Sequence, residues 1–149
     1  MFLPHLQQAL REIRRVLKPG KKLAALVWSA PERNPLSSLP LAIVAKYTGM
    51  SFFGAPGPFA LADPAIFERV LTEADFREVM IQAIAVSLHF ASVEALIQLG
   101  KSQLPDVAQR LSPQEQQRLS EDMQQTLRQF EGPQGLEAPG EMVLGVGVK

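Results

Sequence analysis

The chain contains no cysteine. A disulfide framework, a thiolate nucleophile and a thiolate-based zinc site are therefore excluded. An excess of charge of one sign is also missing. Fifteen basic residues balance fifteen acidic ones, so no net field draws the molecule toward nucleic acid or an anionic membrane. Long apolar runs are absent as well. The longest, Leu23 to Trp28, falls far short of the ~18 residues that span a bilayer. The amphipathic, basic N-terminus lacks the apolar core of a signal peptide, and Glu12 argues against a transit peptide. A reducing, cytoplasmic setting is the expectation.

What is present suits a globular domain. The apolar fraction of 46% and the charged fraction of 20% are ordinary for a packed α/β chain, and 149 residues suggest one domain. Leu6, Ala9, Leu10, Ile13, Val16 and Leu17 recur at helical spacing from Pro4 to Leu17. Lys18-Pro19-Gly20 stops that helix, with Gly20 suited to a positive φ. Leu23 to Ser29 reads as a short strand buried on both faces, as in a parallel sheet. Pro31, Asn34 and Pro35 punctuate a loop, and a short helix covers Pro40 to Tyr47. The stretch 49–61, opening GMSFFGAPGP, is too rich in glycine and proline for regular structure and reads as a substrate-side loop.

Asp63-Pro64 starts a helix that buries Ile66, Phe67, Val70, Leu71 and Ala74 and stops at Asp75. Strand candidates lie near 22–29, 77–90 and 141–148. Ser92 caps a helix through Leu99, and Ser112-Pro113-Gln114-Glu115 has capping-box spacing ahead of the stripe Leu119, Met123, Leu127 and Phe130. Gly132 to Gly140 reads as a loop. In the final strand, Gly145 and Gly147 alternate with Leu144, Val146 and Val148, so something is expected to approach the glycine face closely.

The order of these segments carries a resemblance. ALREIRRVLKPGKKLAALVWS (Ala9 to Ser29), PFALADPAIFERVLTEADFREV (Pro58 to Val79), SLHFASVEAL (Ser87 to Leu96) and the terminal EMVLGVGVK resemble the C-terminal half of a class I S-adenosylmethionine-dependent methyltransferase of the type 11, UbiE-like kind. The resemblance spans nearly the whole chain. It implies an α/β fold: the C-terminal half of a Rossmann-like sheet, three strands with the last antiparallel between the other two, and flanking helices. Lys21 stands where the family turn has its second glycine, and Asp75 stands where the family has the glycine of AGF.

The resemblance also implies what this stretch does not carry. The family's glycine-rich loop and the acidic residues that hold S-adenosylmethionine belong to segments upstream of Met1-Phe2. Gly54-Ala-Pro-Gly57 follows no strand and Gly145-Val-Gly147 lies inside one, so neither replaces that loop. Cofactor binding by this chain alone is not expected, and no catalytic, cofactor-binding or metal residue is assigned.

Four aromatic residues are the candidate substrate-binding set. Trp28 ends a strand at the edge where open α/β sheets place ligands; it reads either as a substrate wall or as a core residue. Phe52, Phe53 and Phe59 read either as a lid over an apolar acceptor or as anchors of a loose loop. His5 and His89 read as surface and structural residues, and Glu121-Asp122 and Glu137/Glu141 as solvated carboxylates. Ser29 and the other serines lack a nucleophile elbow or a nearby base. Two functions remain open. One is the substrate-side half of a methyltransferase acting on a small molecule. The other is a non-catalytic module that forms homo-oligomers or docks a separate N-terminal half through an unpaired strand edge. Neither involves nucleic acid or a membrane.

Overall fold

A computed structural model describes residues 3, 5–54, 56–104, 107 and 110–149. Met1, Phe2, Pro4 and Ala55, on which some sequence expectations rest, lie outside the described residues. The elements in chain order are α1 (Leu6–Val16), β1 (Lys22–Trp28), α2 (Pro35–Thr48), α3 (Pro64–Glu73), β2 (Arg77–Phe90), α4 (Val93–Gln103), α5 (Pro113–Leu127), β3 (Glu131–Gly132) and β4 (Gly135–Val148). Short 3-10 turns cover Pro31–Arg33 and Arg128–Phe130.

The strands form an open antiparallel sheet in the order β1-β4-β2, with β3 paired to the start of β4. The last strand therefore lies between the other two long ones. Along β1 the register pairs Lys22 with Val148, Ala25 with Gly145 and Trp28 with Met142.

The one domain expected from length resolves into two compact units. The first comprises Met1–Arg33, Phe53–Val86 and Glu141–Lys149; the second comprises Asn34–Phe52 and Ser87–Gly140. The boundary falls inside β2 and inside β4.

In the first unit, Leu10 of α1 and Phe67 and Leu71 of α3 pack with Val27 and Val143 of the sheet. Strand alternation puts Leu23, Ala25 and Val27 on that face, opposite Gly147, Gly145 and Val143. A Cβ on Gly145 would lie 2.7 Å from the Phe67 ring, and one on Gly147 would lie 2.8 Å from the Phe76 Cβ. The close approach expected at these glycines is thus made by α3 and by the turn that follows it. Asp75 takes a positive φ of 64°, so an aspartate fills the left-handed turn. Lys21 has no positive φ, and its departure from glycine costs no backbone strain.

The C-terminus completes α1. The Lys149 ammonium donates to the Arg15 carbonyl at 2.9 Å and the Leu17 carbonyl at 2.6 Å. It places a positive charge at the negative end of the helix dipole and satisfies carbonyls that the helix cannot.

The second unit packs α2, α4 and α5 around Leu36, Val93, Leu127 and Leu136. The capping box of α5 forms as its spacing predicts: the Ser112 amide donates to Glu115 at 2.8 Å and the Glu115 amide to the Ser112 hydroxyl at 3.4 Å. The Ser112 hydroxyl and amide hold the Glu115 carboxyl below its ordinary range. Ser92 caps α4, which runs on past Leu99 to Gln103.

Several sequence expectations need correction. β1 is not buried on both faces of a parallel sheet: it is an edge strand with an antiparallel neighbour, Ala24 is exposed and Leu26 is 51% exposed. In α1 the predicted apolar stripe is only partly used, since Val16 is 68% exposed. α2 starts at Pro35, because proline suits a first helical position and the Asn34 carbonyl accepts from Ser37 and Ser38. The predicted loop 132–140 is mostly strand. Gly135, at a φ of 112°, reverses the chain into β4, and a Cβ there would fall onto the Phe90 carbonyl oxygen.

Candidate functional site

The C-terminal end of β1 is the candidate site, because open α/β sheets place ligands beyond the carboxyl ends of strands that run in one direction. β1 and β2 share such a direction, both running opposite to β4. The turn at Gly20, closed by a 3.3 Å bond from its amide to the Lys149 carbonyl and a 2.9 Å bond from the Lys149 amide to the Lys21 carbonyl, anchors the far end of β1. The near end is anchored by Ser29. Its amide donates to the Glu141 carbonyl at 3.1 Å, and its hydroxyl donates to the Glu141 carboxylate at 2.6 Å. Ser29 is buried and Glu141 is half-buried.

This pair was missed by sequence reasoning. From sequence, Ser29 reads as an unassisted serine and Glu141 as a solvated carboxylate. The structure puts Glu141 in β4, directly across from the end of β1. No local signal marks a partner 112 residues away; the strand register alone creates it. A carboxylate held by a buried hydroxyl can accept a hydrogen bond from, or orient, a hydroxyl or amine at the strand end.

Strand alternation places Trp28 on the opposite face from Ser29 and Glu141. Trp28 is half-buried and belongs to neither apolar cluster. It shares its face with Leu26, Met142 and Leu144. The expected aromatic set does not gather within one unit. Phe52 is buried in the core of the second unit. In the first unit, Phe59 is buried and stacks on the 45%-exposed Phe53 at a centroid distance of 5.9 Å and an interplanar angle of 11°. Within the 49–61 stretch, Phe52 and Phe59 are thus buried and Phe53 is the exposed aromatic.

The remaining candidates are structural. His5 precedes α1 without a side-chain capping bond, and the His89 ring bonds the Gln134 carbonyl at 2.8 Å. Glu137 accepts from the Ser87 hydroxyl at 2.9 Å as a strand residue, not a loop carboxylate. Asp122 is not merely solvated either: Lys46 donates to it at 2.8 Å and the Tyr47 hydroxyl at 2.9 Å. The Lys46 hydrogen bond, then that of Tyr47, holds its carboxyl below the ordinary range. Among the described residues no group of three or more His, Asp or Glu side chains forms a metal site, and no helix is long and apolar enough to cross a membrane.

No protein-family model matches this chain, and no curated protein matches its sequence.

Proposed function

We propose that this chain is the substrate-side half of a class I S-adenosylmethionine-dependent methyltransferase acting on a small molecule. The observation that carries the reading is the strand order β1-β4-β2, with the final strand antiparallel in the middle. It is the order that the resemblance of the KPG turn, the Asp75 turn and the terminal EMVLGVGVK implies. The Ser29–Glu141 pair, on one face of the β1 end, or Trp28, on the other, would serve acceptor positioning, the main task of the protein when the methyl donor is already an activated sulfonium. On this reading the S-adenosylmethionine contacts come from the upstream half, and the setting is cytoplasmic.

Calorimetry with S-adenosylmethionine tests this, on the chain alone and on the product of its reading frame extended upstream. The expected result is no micromolar binding to the chain alone and binding to the extended product. Micromolar binding to the chain alone overturns the assignment of the cofactor contacts to the other half. Failure of both to bind overturns the methyltransferase reading.

A second reading is favoured by one observation: the open side of β1 and the exposure of Leu26 and Met80, each 51%, on an apolar sheet. An unpaired edge with apolar side chains favours association. In this reading the chain is a non-catalytic module that dimerises or docks a separate N-terminal half. A strictly monomeric species in light scattering at high concentration argues against the homodimer.

A further inference from the structure

We propose that the cavity lined by α2, α4, α5 and Leu104, Val107 and Leu111 between the last two binds a short-chain aliphatic monocarboxylate. This site is independent of the methyltransferase reading. The cavity measures ≈ 80 Å³, is partly open to solvent and is almost wholly apolar. An engineered apolar cavity of about 150 Å³ stays dry and takes benzene, so one of this size suits a few methylenes.

Two helix-disfavouring residues line it. Gly100 sits inside α4, where glycine costs stability relative to alanine. Neither packing nor backbone demands it: a Cβ there would meet nothing within 4 Å, and its φ is not positive. Pro40 sits inside α2, where it has no amide to donate to the Leu36 carbonyl. Val44 of α2, Ile97 of α4 and Met123 of α5, all buried, also line the cavity. The glycine fills no steric need and borders unfilled apolar space, whereas protein interiors are generally close-packed.

Charge selects the head group. Lys101, in the last turn of α4, is exposed and lines the cavity. Among the described residues no carboxylate pairs with it. The other polar lining group, Gln116, donates its amide to the Leu111 carbonyl at 3.0 Å. One cation beside an apolar cavity complements one negative charge on a short apolar tail.

The test is calorimetric titration of the full chain with butanoate, hexanoate, octanoate and octan-1-ol. Affinity is expected to rise about fourfold per methylene until the cavity is filled, with octanoate about fivefold or more tighter than octanol. Lys101→Met removes that difference and leaves octanol binding in place. Gly100→Leu, filling the cavity from α4, abolishes binding of both. Val44→Phe, filling it from α2, does the same should Gly100→Leu fail to fold. Equal affinity for octanoate and octanol in the native chain overturns the proposal, as does unchanged octanoate binding in a folded cavity-filling variant.

Discussion

In the unit built on α1, α3 and β1, Gly145 and Gly147 are present because Phe67 and Phe76 occupy the space a side chain would need. In the unit of α2, α4 and α5, Gly100 borders space that nothing occupies. The first core is packed to contact and the second is left underfilled. The same residue type therefore stabilises one unit and weakens the other, and what decides the sign is the distance to the nearest neighbouring atom. A packed site resists volume in either direction, whereas an underfilled one gains from it.

The largest expected effect lies in the filled core. Phe67→Ala should cost about 3–5 kcal/mol in denaturant unfolding, since the ring is 1% exposed and leaves a cavity against Gly145. Next comes Gly145→Ala, expected to cost about 1–3 kcal/mol through overpacking. Combining it with Phe67→Leu should recover part of that loss, because the two changes share one contact. Strict additivity in that double variant would break the comparison.

Gly100→Ala should act with the opposite sign and stabilise by about 0.5–1 kcal/mol, the helix-propensity gain without a clash. A loss of stability there would show that the second core is as tightly packed as the first.

The smallest effect concerns Asp122. Its folded carboxyl is held below its ordinary value of 3.8 by Lys46 and then Tyr47. The stabilisation is therefore present above that value and is lost as pH falls through the lower folded value. Asp122→Asn should lower the melting temperature at neutral pH, and its gap from the native chain should close as pH drops below 3.8. A gap constant with pH would remove the charge from the account.

Local signals were legible without coordinates. Asp63, Ser92 and Ser112 each stand at an N-cap position in the sequence pattern, and each side chain accepts an amide where a cap should. The Asp75 turn was legible for the same reason: aspartate tolerates the left-handed region. The start of β4 was not legible, because Gly132-Pro-Gln-Gly135 and Pro139 carry the composition of a loop. Only the Phe90 and Ala91 carbonyls against Gly135 show how closely that reversal packs. At the candidate site, Trp28 was visible from its strand-end position, while the Ser29–Glu141 bond depended on a long-range register.

The sequence alone determined the caps at Asp63, Ser92 and Ser112, and that one face of the last strand must be approached closely. These follow from spacings of three or four residues along a helix and of two along a strand. Tertiary structure alone decided that Phe67 makes that approach, that Lys149 caps α1, and that α2, α4 and α5 leave a cavity between them. Apolar residues at helical spacing look alike in sequence whether their neighbours touch them or stop short.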